Sequence, residues 1–190
     1  YFVTLIVEDD EGCRNTKTDS IYIVTPIVAF ANSQGDCIDK PATFDGSLST
    51  ISTDLWEWDF DMDGNYDSVG VNTSHIYNSP GWNLFRLKTT KYLGIDSVEC
   101  NGYFEDSVYI YSLPQPIFSV NTACLNDSTA FNNISQEGDA KIISWEWNLG
   151  DSSPFRNDSN FSHLYANCDT FQVTLKATDS LGCVNISNPA

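Results

Sequence analysis

Trp56-Glu57-Trp58-Asp59-Phe60 recurs as Trp145-Glu146-Trp147-Asn148-Leu149. Working outward from this pair, Ser74-His75-Ile76-Tyr77 returns as Ser162-His163-Leu164-Tyr165. Cys37 before Ala42-Thr43-Phe44 matches Cys124 before Thr129-Ala130-Phe131. Asp19-Ser20-Ile21-Tyr22-Ile23 matches Asp106-Ser107-Val108-Tyr109-Ile110. The offsets all fall at about 87 to 89 residues, which marks an internal repeat rather than chance similarity. The opening belongs to the same pattern, because Tyr1-Phe2-Val3-Thr4-Leu5 through Gly12-Cys13 parallels Phe171-Gln172-Val173-Thr174-Leu175 through Gly182-Cys183.

Three units are therefore expected: residues 1–25 as the last two strands of one copy, 26–113 as a second copy, and 114–190 as a third lacking its very end. The boundaries fall at Thr25-Pro26 and Leu113-Pro114-Gln115-Pro116, where proline stiffens a short extended connection. Within a copy, Val173, Leu175 and Ala177 alternate with Thr174 and Lys176, the period of a strand with one buried face. Turn clusters such as Asp63-Gly64-Asn65, Ser79-Pro80-Gly81 and Asp179-Ser180-Leu181-Gly182 separate the strands. About seven short strands in each copy predict an all-β chain of tandem two-sheet sandwiches. Trp56 and Trp58, like Trp145 and Trp147, stand two residues apart and so share a strand face, where a sandwich buries a tryptophan between its sheets.

Composition agrees. Of 190 residues, 41% are hydrophobic and 13% aromatic, with a single Met, enough to build cores and biased toward strands. The formal charge of −17 repels nucleic acid phosphate and anionic lipid, so neither is expected as a partner. No run of about 18 apolar residues predicts direct membrane insertion. Six cysteines without a CxxC pair, beside only two histidines, favour disulfides over zinc and an oxidising, extracellular setting.

The turn after Trp58 and Trp147, the His-x-Tyr strand and the Val-x-Leu strand ending near Gly together resemble the polycystic-kidney-disease (PKD) domain. The copy around Trp147-Asn148-Leu149-Gly150-Asp151 follows that pattern closely. The copy before it departs at Asp61-Met62-Asp63-Gly64 and carries Thr89 where a larger apolar residue is usual. The resemblance implies an immunoglobulin-like (PKD-type) sandwich that serves extracellular proteins as a spacer, adhesion or binding module. A finer resemblance, to the repeat-bearing surface proteins and gliding adhesins of Bacteroidota, rests on a Cys before the second strand and a Gly-Cys after the late hairpin. It implies a bacterial cell-surface location and O-linked glycans at Asp-Ser motifs, here Ser20, Ser68, Ser97, Ser107, Ser128 and Ser180. Asn-x-Ser/Thr sequons at Asn72, Asn126, Asn133, Asn157, Asn160 and Asn185 would matter only in a eukaryotic host.

Four sets of residues are candidates for more than scaffold. Asp59, Asp61, Asp63 and Asp67 surround Gly64 with the spacing of the first part of a calcium loop, although Gly70 stands where a bidentate Glu would close it. The competing reading is an acidic turn capped by its own Asx hydrogen bonds. Among the cysteines sequence leaves the pairing open. In a seven-strand sandwich, however, the first-to-second and fifth-to-sixth turns share one end, which predicts a Cys124–Cys168 bridge. Cys37 has no such partner, because Pro80 stands where Cys168 would, and an end-to-end stack would set Cys37 against Cys183 of the next unit. Trp82 has no aromatic counterpart in the following copy, where Thr170 stands, and is the candidate for an exposed contact.

His75 and His163 occupy equivalent repeat positions and so read as scaffold, which leaves Ser-His-Asp or Cys-His chemistry without a specialised base. A paired-carboxylate hydrolase built on Asp59 and Asp61 would need a cleft that a small sandwich does not offer. The expectation is thus a non-enzymatic structural spacer or adhesive repeat of a long secreted surface protein or filament. Its partners would be neighbouring copies and other surface proteins, and its only cofactor calcium. The alternative is an accessory module of a secreted hydrolase, binding an extracellular glycan or protein.

Overall fold

The computed structural model describes residues 1–21, 23, 25–50, 52–94 and 99–188. Strands β1 (Phe2–Glu8) and β2 (Arg14–Ser20) form an antiparallel hairpin, in register from Phe2↔Ser20 to Glu8↔Arg14. Every residue of it is exposed, so the alternation of Val3, Leu5 and Val7 with Thr4 and Ile6 here builds a ladder without a buried face.

The next unit has seven strands among the described residues. β3 (Asn32–Gln34), β4 (Ala42–Asp45) and β7 (Asn72–His75) make one sheet. β5 (Leu55–Asp59), β6 (Ser68–Val69), β8 (Gly81–Tyr92) and β9 (Glu99–Ile110) make the other, in the order β6-β5-β8-β9. In the last unit β10 (Phe118–Val120), β11 (Thr129–Asn133) and β13 (Asn160–His163) face β12 (Ile142–Asn148), β14 (Thr174–Asp179) and β15 (Val184–Ile186). The counterpart of β6 shrinks there to a single bridge between Trp147 and Arg156. Among the described residues the chain is all-β.

One tryptophan centres each core. Trp58 lies opposite Leu87 on β8, and Trp147 opposite Leu175 on β14. Across the gap Trp58 meets Phe44 at 5.7 Å, and Trp147 meets Phe131 at 5.7 Å, so residues of both sheets share each cluster. A buried indole must also satisfy its N–H. Trp58 Nε1 donates to the Gly70 carbonyl at 2.7 Å, and Trp147 Nε1 to the Asp158 carbonyl at 2.9 Å. Those bonds fix the segment after the tryptophan, and with it the acidic turn of the middle unit. Trp56 and Trp145 pack at the margin of the same cores rather than facing away.

Candidate functional site

Asp59 ends β5 and is fully buried. Its Oδ2 accepts the Gly64 N–H at 3.1 Å and lies 3.7 Å from Arg86 Nη1, whereas its Oδ1 has no hydrogen-bond partner. Met62 (φ 62°) and Gly64 (φ 91°) bend the turn back on itself, and oxygens of Asp59, Asp61 and Asp67 converge within 4.8 Å of one another. Asp67 is held by the Phe60 N–H at 2.7 Å. The fourth expected ligand, Asp63, does not join them. Its oxygens are taken by the Asn65 backbone N–H at 2.7 Å and the Asn65 side-chain amide at 3.0 Å, which also hold its carboxyl below the usual range. Three converging hard oxygens, one from a buried aspartate whose Oδ1 has no partner, could be completed by water around a calcium ion, and Arg86 is the competing cation.

Sequence reasoning treated this turn and Trp82 separately, but the fold brings them together. Asp61, Asp67, His75, Tyr77 and Trp82 line one depression of about 570 Å³. Trp82 is 72% exposed and meets Tyr109 in a T-shaped contact at 5.1 Å. His75 stacks on Phe60 at 4.5 Å and meets Tyr77 at 4.6 Å.

In the last unit the same corner is built differently. His163 Nε2 lies 2.7 Å from Asp151 Oδ2, and its ring meets Tyr165 at 4.7 Å. Burial pushes the Asp151 carboxyl up, but Ser153, whose backbone N–H donates to Asp151 Oδ1 at 3.0 Å, together with His163, outweighs it and sets the pKa at about 2.

The cysteines define a second site. Cys37 and Cys183 form a disulfide, Cα–Cα 5.6 Å, that joins the loop before β4 to the turn between β14 and β15 across the two sandwiches. Both sulfurs are sealed from solvent. Beside them Asp139 accepts the Ser112 N–H at 2.6 Å, the Ser112 hydroxyl at 2.9 Å and the Tyr109 hydroxyl at 3.0 Å. The Ser112 amide and hydroxyl keep that carboxyl below its ordinary range. Asn185 donates to the Pro114 carbonyl at 2.9 Å. A Cβ on Gly138 would come within 2.6 Å of the Ser112 carbonyl oxygen, so glycine lets this loop seat against the connection. Sequence reasoning missed Gly138 and Asp139, and read Asn185 only as a sequon. Gly-Asp in a loop was the available signal, but comparing copies hid it because the middle copy has no equivalent pair.

The Cys124–Cys168 bridge is not formed. Both are free, exposed thiols, because their loops line an open depression of about 480 Å³ whose other walls include Phe118, Phe131 and Tyr165. Of the serines in Asp-Ser motifs, Ser20, Ser128 and Ser180 are exposed and Ser68 and Ser107 partly buried, while Ser97 lies outside the described residues.

Because the Asp151 carboxyl has a lowered pKa in the folded state, its contribution is complete above the unfolded value of 3.8 and is lost as pH falls through about 2. Urea unfolding of the wild type and Asp151→Asn should differ by on the order of 1 kcal/mol at about pH 5, after allowing for solvent screening. The difference should shrink as pH falls toward about 2 and vanish only below it; a gap independent of pH would contradict the assignment.

Residues 114–189 match the family model described as the PKD domain. The PKD1 domain of Vibrio anguillarum Epp is similar at 25% identity over 40% of this chain and 88% of that one, with a TM-score of 0.38. The fibronectin(III)-like modules of Clostridium thermocellum CbhA align at 9% identity over 86% of this chain and 90% of theirs, with a TM-score of 0.34. The family match thus detects a PKD domain at residues 114–189 of a chain that is all-β among its described residues, and it suggests an extracellular adhesive or spacer domain type.

Proposed function

We propose that the chain is a stiff spacer section in the repeat region of a long secreted surface protein, with neighbouring copies of the repeat as its partners. The observation that carries this reading is the Cys37–Cys183 bond. A short connection alone lets two sandwiches swing. A covalent bond at one side of the connection and the Asp139 hydrogen bonds to Tyr109 and Ser112 oppose that swing. The bond also carries load. Tension applied at the ends of the chain passes from Cys37 to Cys183 through sulfur and bypasses the 146 residues of sequence separation, which hold most of both cores. The acidic surface keeps such an exposed rod soluble and apart from its neighbours. Extracellular placement fits a disulfide and the domain type.

A second reading, favoured by the depression that Trp82 shares with Asp61 and Asp67, is a calcium-ordered surface that binds an extracellular glycan or protein. Asp59, Asp61 and Asp67 would hold the ion, and the Trp82 ring would offer the apolar face that sugar rings and protein side chains stack on.

Two experiments separate the readings. Residual dipolar couplings of the oxidised chain should fit one alignment tensor for residues 26–111 and 114–188 together. Cys37→Ser should require two. Independent tensors in the oxidised wild type would overturn the spacer reading. For the second, calorimetric titration with Ca²⁺ should show binding that Asp59→Asn abolishes and Asp63→Asn retains. Equal loss in both variants, or no binding at all, would remove the ion.

A further inference from the structure

Each half of the Cys37–Cys183 bond occurs a second time in this chain, in matching backbone geometry, carrying a free thiol. Cys37 opens a turn in which Lys40 N–H donates to the Cys37 carbonyl at 3.0 Å and Asp39 adopts φ 68°. Cys124 opens a turn in which Asp127 N–H donates to the Cys124 carbonyl at 2.9 Å and Asn126 adopts φ 73°. Asp and Asn are the non-glycine residues that best tolerate that conformation. Cys183 closes a hairpin turn: Asp179 N–H donates to its carbonyl at 3.0 Å, its own N–H donates to Asp179 Oδ1 at 2.8 Å, and Gly182 adopts φ 84°. Cys13 closes the same turn, with Asp9 N–H to its carbonyl at 3.1 Å, its N–H to Asp9 Oδ1 at 2.8 Å, and Gly12 at φ 83°.

Burial is what separates the pairs. Cys37 and Cys183 are sealed against each other's unit, while Cys13 and Cys124 are exposed. Cys100 lies within the β8–β9 ladder opposite Lys91 and follows Glu99, so it is not part of a Gly-Cys turn. Cys168 has no cysteine counterpart in the middle copy.

We propose that Cys124 and Cys13 are the open halves of the same staple, each forming a disulfide with another copy of this repeat. Cys124 takes the thiol of a Gly-Cys hairpin turn, and Cys13 takes the thiol of a turn like that of Cys37. Each thiol loses its proton and a sulfur–sulfur bond forms. The two electrons pass to a small-molecule or protein disulfide, which is cleaved to two thiols. The staple then binds the last unit, through Cys124, to the copy after it, and residues 1–25, through Cys13, to the copy before them. This rests on the spacer reading and names the chemistry of its joints.

A second copy of this chain supplies the probe. The full chain, half of it ¹⁵N-labelled, is oxidised at high concentration in a glutathione disulfide buffer, alkylated and digested without reduction. The expected result is a mixed-isotope peptide joining Cys124 to Cys13, with a ladder of oligomers on a non-reducing gel. Cys13→Ser or Cys124→Ser should remove the ladder, and Cys168→Ser should leave it intact. Cys124 joined to Cys168, joined to Cys100, or recovered alkylated beside an intact Cys37–Cys183 bond overturns the proposal. In those outcomes a single alignment tensor for the two sandwiches would still stand, so the failure of the staple is distinguishable from failure of the spacer reading.

Discussion

Closing a long loop of chain with one covalent bond limits what the unfolded chain can explore. With Cys37 and Cys183 separated by 146 positions in sequence, the chain-entropy account gives a stabilisation of about 5 kcal/mol, comparable with the whole stability of a small domain. That constraint is shared, because the closed loop encloses parts of both sandwiches. The bond is positioned by local structure. The Ile38 N–H donates to the Tyr111 carbonyl, and the Tyr111 N–H to the Asp36 carbonyl, so the loop carrying Cys37 is tied to the end of β9. The turn carrying Cys183 is fixed by the buried Asp179 carboxylate.

The sandwiches supply the rigidity that makes a staple useful. Each is organised by a fully buried tryptophan whose ring fills the gap between sheets and whose N–H pins the next segment. Removing such a ring costs about 3–5 kcal/mol in typical cores. The scaffold is constant between copies while the corner beyond the tryptophan varies. In the middle unit that corner gathers three carboxylates, and in the last it closes with an Asp151–His163 contact. A common frame with variable corners lets one copy specialise without altering its joints.

Much of the fold was legible in the sequence. The Trp-Glu-Trp repeat and the strand-period alternation of Val173, Leu175 and Ala177 announce a sandwich because burial of one strand face is a local, periodic requirement. The candidate site was legible only in part. Spacing alone puts Asp59, Asp61, Asp63 and Asp67 on one turn, but Asn65 competes for both oxygens of Asp63, and that is a side-chain contest spacing cannot record. Trp82 and the acidic turn lie on different strands and meet only through the order β6-β5-β8-β9. Cys124 and Cys168 sit at the same end of a sandwich, yet the depression between their loops stays open, a matter of loop path rather than strand order. Asp139 escaped notice because its partners, Tyr109 and Ser112, belong to the preceding unit.

Stretching single molecules of the oxidised chain by its two ends tests the central claim most directly. If the Cys37–Cys183 bond carries the load, the residues between them stay hidden from the force, and reduction releases roughly 500 Å of additional contour length at about 3.4 Å per residue. Stepwise extension of both sandwiches under oxidising conditions, at the same lengths as under reducing conditions, would contradict it.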